Sequence, residues 1–140
     1  FAGLFGGIVG LGGFTFSYAS GLSYLSNDPA ACVNCHVMRP QWDGWNNGPH
    51  HTVATCNDCH VPHDSIVTKY AVKALNGFRH SYAFTTGNFE EPIKILPLDR
   101  EITRNACLAC HSALTNDMSH ANTADPTDCL RCHADVGHGT

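Results

Sequence analysis

Eight cysteines fall in four pairs of identical spacing: Cys32/Cys35, Cys56/Cys59, Cys107/Cys110 and Cys129/Cys132. A histidine follows each pair at once, at His36, His60, His111 and His133, giving the fragments CVNCH, CNDCH, CLACH and CLRCH. Two thiols three positions apart can add to the two vinyl groups of one porphyrin. The adjacent imidazole then lies under the ring and can bond the iron. Structural zinc uses paired cysteines but needs no histidine after each pair, and a disulfide framework needs none either. With 10 His in 140 residues, four such placements by chance would arise about once in forty thousand trials. Four covalently bound c-type haems are therefore expected, with no cysteine left for other work.

Six further histidines, His50, His51, His63, His80, His120 and His138, are available as second axial ligands. The first motif differs from the rest, because Met38 follows it as C-x-x-C-H-x-M. Two ligands this close in sequence can hardly reach opposite faces of one iron, so Met38 competes with His36 for the first haem. A thioether ligand would favour the ferrous state and raise the potential there. The plainer reading of Met38 is a packing residue.

The elements that must carry these groups can be read in outline. Residues 1–25 contain no charge. As a helix they would extend about 38 Å, enough for a hydrocarbon core of about 30 Å. A signal peptide would be shorter and would end in a small-residue cleavage site; a buried core helix is the other alternative. Gly3/Gly7 and Gly6/Gly10 are small-xxx-small pairs, which predict association with another membrane helix. Tyr18, Tyr24, Trp42 and Trp45 suit the outer interface. The chain begins at Phe1, so a cytoplasmic start upstream is expected. The resulting division is a transmembrane helix over 1–26 and a haem domain over 27–140.

The motifs begin at 32, 56, 107 and 129, two close pairs separated by a longer connection. That spacing suggests a duplicated di-haem unit with closely neighbouring haems. The predicted fold is mainly α with little β structure: short helices around the motifs and one longer helix in the large gap. After Pro62, with Asp64 as N-cap, the run SIVTKYAVKALNGFRHSY places apolar residues at 66, 67, 70, 71, 74, 75 and 78. Lys69, Lys73, Asn76, Arg79 and His80 share the other face, which reads most simply as solvated or as resting on lipid headgroups.

Composition narrows the function. The net charge is −4 and only 14% of residues are charged. No basic stripe exists to neutralise nucleic-acid phosphates. Neither a nucleophile constellation nor a phosphate loop is present.

One apolar N-terminal span, a first motif of the form CxxCHxM and four CxxCH motifs together resemble the NapC/NrfH family of membrane-bound quinol dehydrogenases. The stretches CNDCHVPHD at 56–64, KALNGFRH at 73–80 and CLRCHADVGH at 129–138 carry the likeness across nearly the whole chain. The short length, ending soon after His138, is most similar to the branch that serves cytochrome c nitrite reductase.

The resemblance implies a protein of the bacterial inner membrane, spanning it once, with its haem domain in the periplasm. It would oxidise menaquinol and pass electrons to a pentahaem cytochrome c nitrite reductase catalytic subunit, which makes ammonia. It implies Met38 as axial ligand of the first haem, and His60, His111 and His133 as proximal ligands of the second, third and fourth. His51 would be the distal ligand of the fourth haem and His138 that of the third. The second haem would borrow a lysine from the catalytic partner. Lys73 resembles the lysine of the quinol pocket. His80 stands where relatives carry Asp, and would accept a quinol proton or bind the first iron itself. Two other readings stay open: a NapC-type donor feeding nitrate reductase or several periplasmic acceptors, and a passive haem wire or anchor without a quinol site.

Overall fold

The computed structural model describes residues 1–115 and 128–139. Among the described residues six α-helices follow one another: α1 (Ala2–Tyr18), α2 (Arg39–Asn47), α3 (Cys56–His60), α4 (Ile66–Thr86), α5 (Pro97–Thr115) and α6 (Cys129–Cys132). Short 3-10 turns at Gly21–Leu25, Pro29–Asn34 and His36–Met38 link α1 to α2. No strand occurs among the described residues. The mainly helical expectation holds in this sense.

The N-terminal run is shorter as a helix than its composition suggests. α1 ends at Tyr18, because Ser20 takes a left-handed conformation (φ 52°) and the chain tightens into the turn at Gly21–Leu25. The Phe16 ring folds back over this bend, where any side chain on Gly21 would collide with it. No helix among the described residues is long and apolar enough to cross a membrane. Every residue of α1 is nevertheless exposed, and among the described residues the only element it touches is the following turn.

α4 inverts the expected burial. Its N-cap is Ser65, whose hydroxyl accepts from the Thr68 amide at 3.1 Å, and Asp64 instead accepts from the Thr68 hydroxyl at 2.7 Å. Gly87, at φ 67°, closes the helix in the left-handed region. Of the stripe expected to face a core, Ile66, Val67, Tyr70 and Phe78 are exposed. The buried residue of α4 is Lys73. Its Nζ donates to the Ser26 carbonyl at 2.7 Å and to Asn27 Oδ1 at 3.0 Å. The solvated-face reading therefore fails at Lys73, because these oxygens replace its water.

The gap between the second and third motifs holds α4 and the start of α5, two helices where one was expected. The third motif lies within the long α5. α3 packs on α5, and α5 on α6. Arg100 of α5 clips onto Asp128 with Nη2 at 2.6 Å and Nε at 2.9 Å. Asp128 also caps α6 by accepting from the Leu130 amide at 3.1 Å.

The protein itself supplies almost no core. Val61 and Ala106 are the buried apolar residues among those described. The accessible surface is 10411 Å², against about 7,000 Å² for a compact monomer of this mass. Large apolar side chains are left for something other than this chain to cover.

The Arg100 hydrogen bonds, helped by the guanidinium charge, hold the Asp128 carboxyl below its ordinary range. This clip stabilises the fold above the ordinary carboxylate value of about 4 and is lost as acid protonates it. Asp128→Asn should lower the thermal midpoint near neutral pH, and the difference from the parent should vanish in strong acid. Thermal melts across pH measure this.

Candidate haem-binding and quinol site

Helical geometry explains the Cys-x-x-Cys spacing. Residues three apart share a helix face, and the second, third and fourth motifs lie on α3, in α5 and on α6. The first motif uses 3-10 turns instead, broken at the extended Cys35 (φ −93°, ψ 117°). None of the eight cysteines is in a disulfide.

The motifs are neighbours in chain order. The turn that carries Cys32 packs on α3, which carries Cys56 and Cys59. α3 in turn packs on α5, which carries Cys107 and Cys110, and α5 on α6, which carries Cys129 and Cys132. One to two, two to three and three to four, the attachment points form a continuous path.

Two histidine pairs stand out. The His60 and His138 rings have centroids 5.9 Å apart. Those of His50 and His111 lie 6.2 Å apart. An imidazole nitrogen bonds a first-row metal at about 2 Å, with the ring centre about 1 Å behind it, so two rings on opposite sides of one ion have centres about 6 Å apart. Each pair joins a motif histidine to a spare one.

Tautomers support the same reading. His138 Nδ1 lies 2.9 Å from the Gln41 carbonyl, to which it must donate, leaving Nε2 with its lone pair. His50 Nδ1 is buried with no protein partner. Burial, then the neighbouring His138, pushes the His60 pKa down, favouring the neutral form a metal requires. No cluster of three or more His, Cys, Asp or Glu suited to a bare metal ion occurs among the described residues. A porphyrin brings four nitrogens of its own and asks the chain for two ligands. The donor set fits haem.

The other expected ligands are placed as follows. His51 directs Nδ1 to the Gly48 carbonyl at 3.1 Å and its ring edge to Trp45. His138 meets His60, a different partner from the one the resemblance assigns. The His36 ring lies edge-on to Phe84 of α4, while Met38 is half-buried at the start of α2. His133 has no ring contact among the described residues and is exposed. His63 bonds the Asp58 carbonyl at 2.7 Å and so secures the end of α3. His120 lies outside the described residues. The structure brings His50, rather than the expected ligand His51, beside His111, and nothing in the local sequence separates the two.

The expected quinol residues sit together where α4 meets the segment after α1. Lys73 Nζ is engaged as described, with the Leu25 carbonyl at 3.5 Å as a third acceptor. Burial, then the charge of Lys69, lowers its pKa. His80, two turns further, lies with Nδ1 2.8 Å from the Tyr24 hydroxyl. The protein atoms around His80 push its pKa down, with Asp99 opposing. His80 remains exposed, and its Nε2 has no hydrogen-bond partner among the described residues.

Gly44 controls the C-terminal approach. A Cβ there would stand 2.9 Å from the His138 carbonyl carbon and oxygen. Backbone cannot swing aside as a side chain does, so Gly44→Ala should push His138 away from Gln41 and His60. Hydrogen exchange over residues 134–139 should rise at least tenfold, which mass spectrometry of the holoprotein reads.

Comparison with known proteins places the chain. The profile of the NapC/NirT cytochrome c family, N-terminal region, matches residues 1–140. Cytochrome c-type protein NrfH of Wolinella succinogenes is 37% identical over 94% of this chain and 80% of its own. Cytochrome c-type protein NapC of Escherichia coli K12 is 24% identical over 97% of this chain and 78% of its own. Among solved structures, a chain of the cytochrome c nitrite reductase NrfHA complex bound to the HQNO inhibitor matches with TM-score 0.70 and 27% identity. That match covers 96% of this chain and 90% of the other. With its four CxxCH motifs and a match along its entire length, the chain is a member of the NapC/NirT cytochrome c family.

Proposed function

We propose that this protein is the membrane-bound tetrahaem subunit of a nitrite reductase complex. It takes electrons from menaquinol at the lipid boundary and delivers them to a pentahaem catalytic subunit that reduces nitrite to ammonia. The observation that carries this reading is the match over 96% of the chain to a chain of the NrfHA complex. The NrfH relative supports it, and the likeness to NapC is weaker.

Bound haem supplies reversible one-electron chemistry at iron. The chain's task is to fix the irons, their order and the entry point. Cys32/Cys35, Cys56/Cys59, Cys107/Cys110 and Cys129/Cys132 attach the four groups in the chain-order path described above. We assign Met38, rather than His36, to the first haem, His60 with His138 to the second, and His111 with His50 to the third. His133 would hold the fourth. Lys73 pins the Ser26–Asn27 segment to α4. His80 offers its free Nε2 as acceptor for the proton that leaves a quinol hydroxyl.

α1 is the anchor in this reading. It is uncharged and exposed along its whole length, as a lipid-embedded helix is. Gly3/Gly7 and Gly6/Gly10 have open space beside them for a second helix. The exposed apolar side of α4 would rest against the same bilayer, with menaquinol reaching His80 from the lipid.

Two experiments test the assignment. The complex in lipid vesicles should couple oxidation of a menaquinol analogue to nitrite reduction, with HQNO blocking it. Coupling to nitrate reductase instead would favour the NapC-type reading, and no quinol oxidation at all would leave only a haem wire. Separately, His50→Ala and His138→Ala should each convert one low-spin ferric haem to another spin or ligand state by electron paramagnetic resonance, while His51→Ala should not. Loss of a low-spin signal in His51→Ala would return the distal role to that residue.

A further inference from the structure

The hydrogen bond between Tyr24 and His80 joins two segments that are distant in sequence. Tyr24 lies in the 3-10 turn after α1, and His80 is a residue of α4. The hydroxyl is 2.8 Å from Nδ1, and the rings are 6.2 Å apart, tilted by 59°.

The turn that carries Tyr24 is held on several sides. Asn34 Nδ2 donates to Ser23 Oγ at 2.9 Å on the near side of Tyr24. On the far side, the Ser26 carbonyl accepts from Lys73 Nζ at 2.7 Å and from Asn57 Nδ2 at 3.2 Å. The Tyr24 ring also passes over Gly77, where a Cβ would already be in contact at 3.4 Å. Lys73, Gly77 and His80 lie on one face of α4 at positions i, i+4 and i+7. All three touch the segment from Tyr24 to Asn27. A phenol held this firmly does not follow the imidazole; the imidazole is held by the phenol.

We infer that Tyr24 is a positioning residue of the quinol site: its hydroxyl oxygen accepts from Nδ1–H of His80 and fixes the ring, so that Nε2, with its lone pair, is the nitrogen presented to the quinol. The inference rests on the functional reading above. The balance is simple. When the quinol O–H bond breaks, a proton bonds to Nε2. Nε2 then gives that proton to water, and the ring returns to the Nδ1–H tautomer that Tyr24 holds. The second hydroxyl proton follows after the first has been released, and the two electrons go one at a time to haem, which the proposed activity supplies. Asp99 of α5 is the charged group felt by His80 from a neighbouring helix, and His60 of α3 feels His80 in turn.

Tyr24→Phe tests this, because it keeps the ring over Gly77 and removes only the hydroxyl. The measurement uses the complex with its catalytic subunit in lipid vesicles and a menaquinol analogue as donor. The variant should keep its haem content, its spectra and its rate of nitrite reduction from reduced methyl viologen. Its kcat with quinol should fall at least about tenfold with KM unchanged, since a mispositioned base loses rate rather than affinity. The solvent deuterium isotope effect should rise. In a His80→Gln background, Tyr24→Phe should add no further loss.

A parent-like kcat in Tyr24→Phe, a change in KM alone, or an additive double variant would overturn the inference while leaving quinol oxidation intact. Absence of quinol oxidation in the parent complex would overturn the functional reading itself.

Discussion

A chain that buries only Val61 and Ala106 as apolar core residues among those described cannot be held together by its own side chains. Burial of apolar surface is the main favourable term in folding, and here most of the surface available for burial faces outward. The consequence runs through every level of the structure. Three of the cysteine pairs sit on helices, α3, α5 and α6, that meet one another through few side chains. Ion pairs and caps such as Arg100–Asp128 clip elements that barely touch. Haem bonded through thioethers, and lipid against α1 and α4, would cover what the polypeptide leaves exposed. For an electron carrier this is also an advantage, because small protein walls between cofactors keep the attachment points in contact.

The same constraint explains the behaviour of α4. Its sequence is amphipathic, and in an ordinary domain the apolar side would face inward. Here the polar side is turned toward the protein, because the neighbouring segment after α1 offers carbonyls rather than hydrocarbon. Lys73, at 6% exposure, is satisfied by Ser26 and Asn27, while Ile66, Val67 and Phe78 point away. Hydropathy sorts residues between water and an apolar phase. It does not say whether that phase is the protein's interior or a membrane outside it.

Histidine pairing shows a second limit. His50 and His51 are adjacent and chemically identical, yet His50 faces His111 while His51 turns to Gly48 and Trp45. His138 finds Gln41 and His60 across most of the chain, through an approach that only glycine at position 44 permits. Such pairings depend on how α2, α3, α5 and the C-terminal turn come together. They are long-range facts with no local signature.

The amino-acid sequence by itself determined the covalent chemistry: four thiol pairs with adjacent imidazoles, an early methionine, and an uncharged N-terminal run. These are local patterns, since a porphyrin is captured by residues a few positions apart and the spacing is the mechanism. Tertiary structure decided which spare histidine meets which motif, where α1 stops, and that Lys73 is engaged while His80 keeps a nitrogen free beside Tyr24. Each of those outcomes turns on contacts between segments tens of residues apart. Such contacts follow from backbone geometry and the competition for hydrogen-bond partners, which no short stretch of sequence encodes.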